Sequence, residues 1–113
     1  MNTLNSIILE GNLVATPKTE NGVTDFQIVT SRFEKNAEGE GVEKHFVFDI
    51  RTFGKLGEFV ENRAKIGQGL RIVGRLENDT EGETIKTFTV AEHIEFKPFF
   101  VKENDLDSVA VND

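Results

Sequence analysis

The sequence predicts an all-β fold, a five-stranded barrel with one α-helix between the third and fourth strands. Three observations lead to it. Short runs rich in Val, Ile, Thr and Phe alternate apolar with polar residues, the period of a half-buried strand. One stretch, Lys55 to Ile66, changes to helical spacing. Turn residues such as Thr16-Pro17 and Asn21-Gly22 punctuate the rest.

The first strand runs from Leu4 to Ala15, and Gly11 inside it marks a bulge or sharp bend. The second runs from Val23 to Phe33, with Phe26 and Ile28 on one face. A polar loop, Glu34 to Glu43, follows. In the third strand, Lys44 to Phe53, Phe46, Phe48 and Ile50 form a core face. His45, Val47, Asp49, Arg51 and Phe53 share the opposite, mixed face. In the helix, Leu56, Phe59, Val60 and Ala64 recur on one side, and Gly67 is the expected C-terminal cap. The fourth strand, Leu70 to Glu77, sets Leu70, Ile72 and Leu76 against Arg71, Val73 and Arg75. Asn78 to Glu83 reads as a polar turn, and the fifth strand runs from Thr84 to Phe96. Pro98 is expected to end the regular structure. Residues 1–97 then form one domain and residues 98–113 a short, acidic, flexible tail. Five strands with a helix after the third is the order of the Greek-key OB barrel.

Composition narrows the function. The 113 residues fit one domain, and 37% hydrophobic content allows one modest core. Cysteine is absent, which removes disulfides, thiolate metal sites and cysteine nucleophiles and suits a reducing cytoplasm. No apolar run approaches the roughly 20 residues that span a bilayer, and the first residues lack a signal-peptide pattern. His45 and His93 are the only histidines, too few for a metal site without carboxylate help. Gly67-Gln68-Gly69 precedes a strand, so it is no phosphate-binding loop. No acid–base pair stands out. The chain therefore reads as a non-enzyme without metal or cofactor. Its net charge of −7 opposes nucleic-acid binding, so local arrangement has to decide the matter.

Several segments carry a family resemblance. Asn5-Ser6-Ile7-Ile8-Leu9-Glu10-Gly11-Asn12-Leu13 resembles the opening strand of bacterial single-stranded DNA-binding proteins. Phe26-Gln27-Ile28-Val29-Thr30-Ser31-Arg32-Phe33 resembles their second strand, and Phe53-Gly54-Lys55-Leu56-Gly57-Glu58 their strand-to-helix junction. Lys65 to Leu76 and Val90 to Phe96 are similar to the last two strands. The resemblance spans residues 5–97 in order. It implies an OB fold, usually a homotetramer with a dimer as runner-up. Such a protein binds single-stranded DNA with little sequence preference, in replication, recombination and repair. Carried over by motif, Phe53 takes a base-stacking position and Phe33 lies beside another. Lys55 follows the junction, and Arg71 and Arg75 lie along the fourth strand. The chain departs from the family in having neither tryptophan nor tyrosine. Val47 stands where a stacking tryptophan is common. The hairpin between the fourth and fifth strands is short and acidic (Asp79, Glu81, Glu83), and the tail lacks the acidic Pro-Phe ending with which many members recruit partner proteins.

Single-strand binding needs π-faces for bases and cations for phosphates. Arg51 and Phe53, sharing a strand face with Val47, fit that need, as do Arg71 and Arg75. Alternation alone equally allows Phe53 in the core and the arginines paired with Asp49 or Glu77. The resemblance favours binding. Arg32, Phe33 and Lys35 form a second cluster, diluted by Glu34 and Glu38. The other reading of the whole chain is a dimeric OB adaptor resembling primosomal DNA-replication proteins.

Overall fold

The structure, a computed structural model, describes residues 1–106, the side chains of Glu103 and Asn104 apart. Six strands and two helices follow in order: β1 (Ile7–Leu13), β2 (Lys18–Glu20), β3 (Val23–Lys35), β4 (Gly41–Phe53), α1 (Gly54–Arg63), β5 (Gln68–Glu81), β6 (Thr84–Phe100) and α2 (Glu103–Leu106). The sheet order is β1-β5-β6-β4-β3-β2, and a further β1–β3 pairing closes it on itself. Five strands thus form the barrel, and β2 is an appended edge. All pairings are antiparallel except β4–β6, where Ile50 meets Thr89 and Arg51 meets Val90. The all-β OB class and the helix position match the sequence reading.

The alternation places Leu13, Phe26, Ile28, Ile50, Leu70, Ile72 and Ile94 inward, where they form one cluster with Val60 of α1. Gly11 lies where β1 passes from β5 to β3. A side chain there would collide with the Val29 carbonyl, so only glycine lets the strands close.

Several boundaries differ from expectation, each for a physical reason. β2 was not foreseen because its Lys-Thr-Glu is exposed throughout and has no apolar residue to alternate. The helix stops at Arg63, and Ala64 is its C-cap in extended conformation. Gly67 serves a later turn with φ +92°, its amide donating to the Leu13 carbonyl at 2.8 Å. Both long hairpins reach past the core. β4 begins at Gly41, and β5 continues to Glu81 through the stretch that reads as a turn. Those outer residues have solvent on both faces, so no burial pattern marks them as strand. For the same reason Phe46 and Leu76, read as core, are 38% and 44% exposed.

Pro98 does not end the last strand. β6 continues to Phe100, and Pro98 falls where the β5–β6 register shifts, Gly69 facing Lys97 and Gln68 facing Phe100. A bulge tolerates the missing N–H. Beyond it, the Val101 amide donates to the Gly67 carbonyl at 2.9 Å. Leu106 is buried, sharing a second cluster with Val29, against which Val14, Val47, Ile66 and Val101 pack. The first part of the expected flexible tail is therefore laid on the outside of the barrel. Residues 107–113 lie outside the described residues.

Candidate nucleic-acid interface

The strand-to-helix junction presents Phe53. Phe53 is the last residue of β4 and the N-cap of α1, in extended conformation, with no side-chain cap. Gly54 then takes φ +60° and donates its amide to the Gly22 carbonyl at 3.0 Å. The left-handed step turns the chain sharply into the helix and leaves the Phe53 ring 50% exposed. The core alternative for Phe53 does not describe this geometry. Lys55, in the first turn of α1, is also exposed and has no acidic partner among the described residues.

The outer face of the β3–β4 ribbon continues from Phe53 in cross-strand pairs. Asp25 faces Arg51, Gln27 faces Asp49, Val29 faces Val47, Ser31 faces His45 and Phe33 faces Glu43. Arg51 donates to both Asp25 oxygens at 2.8 and 3.2 Å and reaches Asp79 at 3.4 Å. Hydrogen bonding to Asp25 raises its pKa further. Its guanidinium lies 4.6 Å from the Phe88 ring centroid. Val47 is half-buried in the cluster that Leu106 closes, so a base approaching Val47 meets that cluster. At the far end Phe33 is 75% exposed, the most open ring in the chain. Arg32 beside it is paired with Glu34, whose pKa is lowered by Lys44 and then Arg32. Lys35 ends the strand, exposed.

Arg71 and Arg75 lie on another part of the barrel, among β1, β5 and β6. Arg71 meets Glu10 at 2.6 Å and Glu95 at 3.8 Å. Arg75 meets Glu77 at 2.7 Å and Glu92 at 3.0 Å, which raises its pKa. The structure thus gives every arginine of the candidate set a carboxylate partner. The exposed pairs of Arg32, Arg71 and Arg75 are weak, about 0–1 kcal/mol, so a phosphate can compete for those cations.

Sequence reasoning missed a cleft. It measures about 290 Å³ and lies where the segment after β1, β2, β3, β4 and the start of β6 meet. Lys18, Arg51 and Lys86 supply its cations, Phe26, Ile50 and Phe88 its apolar lining, and Gln27 and Asp49 a hydrogen-bonded polar wall. Lys18 and Lys86 are exposed, without a carboxylate partner among the described residues. They stand 68 positions apart in the sequence, Lys18 at the start of β2 and Lys86 near the start of β6, so only the barrel brings them together. Among the described residues no group of His, Cys, Asp and Glu could hold a metal ion, and no helix is long and apolar enough to cross a membrane.

An OB barrel whose ribbon and adjoining loops carry exposed rings and cations is a nucleic-acid-binding type of module. Residues 4–97 match the model of the Single-strand binding protein family, and the chain belongs to that family. Its members are DNA-binding proteins, not enzymes. Among solved structures the chain is similar to the Plasmodium falciparum SSB complex with ssDNA, with a TM-score of 0.73 and 20% identity over 86% of this chain and 97% of that one. The small single-stranded DNA-binding protein of Streptomyces coelicolor gives 0.63 and 19% over 87% and 97%. The wild-type single-stranded DNA-binding protein of Thermus aquaticus gives 0.68 and 24% over 83% of this chain but half of that longer one. No curated protein sequence matches.

Proposed function

We propose that this protein binds and protects single-stranded DNA with little sequence preference, and serves replication, recombination and repair in the cytoplasm. The observation that carries the reading is the β3–β4 ribbon, where a family-matched barrel exposes Phe53 and Phe33 to solvent beside Lys35, Lys55 and Arg51. Exposed rings accept any base, since every base has a π-face, and the cations meet the backbone. The binding domain proposed is residues 1–97, with residues 98–113 an acidic appendage that begins as the end of β6 and continues through α2. A gel shift with one mixed-sequence oligonucleotide, single-stranded and annealed, at low and moderate salt tests the reading. The single strand shifts at lower protein concentration at both salts. Equal shifts for both forms reject it.

The protein also self-associates in this reading, as a tetramer or else a dimer. Along Ile7–Gly11, β1 pairs with β5 on one side and, among the described residues, leaves its other edge open. On its outer surface Ile8 is 67% exposed, opposite Val73. An open edge beside an exposed apolar residue favours pairing with a second copy. Light scattering that gives a monomer mass at every concentration excludes this part of the proposal. Single-stranded DNA and a second copy of the chain are the partners proposed, with replication and repair proteins as the further class.

A further inference from the structure

We infer that the cleft between β2, the β3–β4 ribbon and β6 is a nucleotide subsite in which Arg51 is a stacking platform and Lys18 and Lys86 are the phosphate ligands. The inference rests on the single-strand reading and divides the work of the site differently from what residue types alone suggest.

Arg51 is the obvious phosphate ligand by composition, but each of its three nitrogens already meets a carboxylate. Nε and Nη2 are held by Asp25 at 2.8 and 3.2 Å, and Nη1 reaches Asp79 at 3.4 Å. Two carboxylates already offset its charge. The guanidinium carbon lies over Phe88, 4.6 Å from the ring centroid. Arg51 and Phe88 both line the cleft. A guanidinium clamped along its edge and backed by a ring is a rigid, flat surface. Bases stack on arginine planes as they do on aromatic rings.

Lys18 and Lys86 have the opposite properties. Both line the same cleft, both are exposed, and neither has an acidic partner among the described residues. A free ammonium on a flexible stem suits a phosphate as a point charge. At about 290 Å³ the cleft stands at the small end of ligand sites, fit for one nucleotide unit of a passing strand.

The test is a titration of the full chain with a fluorescent poly-dT oligonucleotide over a salt series, with a thermal melt of each variant. The paired substitution Lys18→Gln and Lys86→Gln is expected to make the slope of log affinity against log salt shallower by about 1.4, two single-strand phosphates at about 0.7 each. Arg51→Lys keeps the charge and removes the plane. It is expected to weaken binding roughly tenfold, within the range for one lost base stack, with the slope unchanged. An unchanged slope in the lysine pair overturns the inference. So does an Arg51→Lys variant that binds as wild type, or one that loses slope as a phosphate ligand would. If the wild type itself does not bind the oligonucleotide, the single-strand reading falls with it. If the wild type binds and the variants match it, the subsite alone is refuted. A variant whose melt shows it unfolded is replaced by Lys86→Gln alone, which carries half the slope change, about 0.7.

Discussion

At the scale of single residues, the protein separates two uses of phenylalanine that composition cannot tell apart. Of the ten, Phe26 and Phe88 are buried at 5% and 7%, whereas Phe33 and Phe53 are 75% and 50% exposed. Strand parity made Phe26 legible as core and put Phe53 on the outer face. Parity did not reveal how far out Phe53 stands, because that depends on Gly54 at φ +60°. The arginines were legible as outward-facing, and their pairing only in part. Arg75 has Glu77 two positions away, a pairing the sequence allows, whereas Glu10 meets Arg71 only through the β1–β5 register. Phe53→Ala is expected to cost about 1–3 kcal/mol of binding with an unchanged salt slope, because stacking releases no counterion. Its melting temperature should stay close to wild type. A core phenylalanine would instead cost about 3–5 kcal/mol of stability. A melt beside the titration separates the two, and a large drop in melting temperature with near-native affinity would return Phe53 to the core.

At the scale of elements, the parts with one wet and one dry face were readable and the parts with two like faces were not. The inner halves of β3, β4 and β5 show clear period-2 alternation, and α1 shows period 3.6 around Leu56 and Val60. The hairpin extensions around Glu40 and Glu81 are polar on both sides and resemble loops in sequence. The segment after Pro98 was read as tail because proline suggests an end to regular structure and Leu106 stands between Glu103, Asn104, Asp105 and Asp107. Its burial comes from a second apolar patch, Val29 and Val47, on the outside of the sheet. That patch is hidden in the sequence, since an outward valine in a strand is ordinary. Leu106→Ala is therefore expected to lower stability by about 2 kcal/mol, the low end for buried leucine because the cluster is small. Thermal or urea unfolding checks this. A variant as stable as wild type would mean that Leu106 does not hold the segment down.

At the scale of the whole molecule, the charge poses the sharpest physical question. A chain of net charge −7 binding a polyanion needs its cations gathered and its acids placed elsewhere or already engaged. The structure meets this in part. The β3–β4 ribbon, its cleft and the first turn of α1 expose Lys18, Lys35, Lys55 and Lys86 without acidic partners among the described residues, while the candidate arginines are held by carboxylates. Binding should then rest on stacking more than on charge, and stacking requires unpaired bases. The direct measurement follows a labelled oligonucleotide by fluorescence anisotropy, first saturated with protein and then mixed with its complementary strand. The account predicts that annealing buries the bases, the protein lets go, and the anisotropy falls to that of free duplex. Anisotropy that stays at the protein-bound level after annealing would contradict it, because the protein would then be holding the backbone and not the bases.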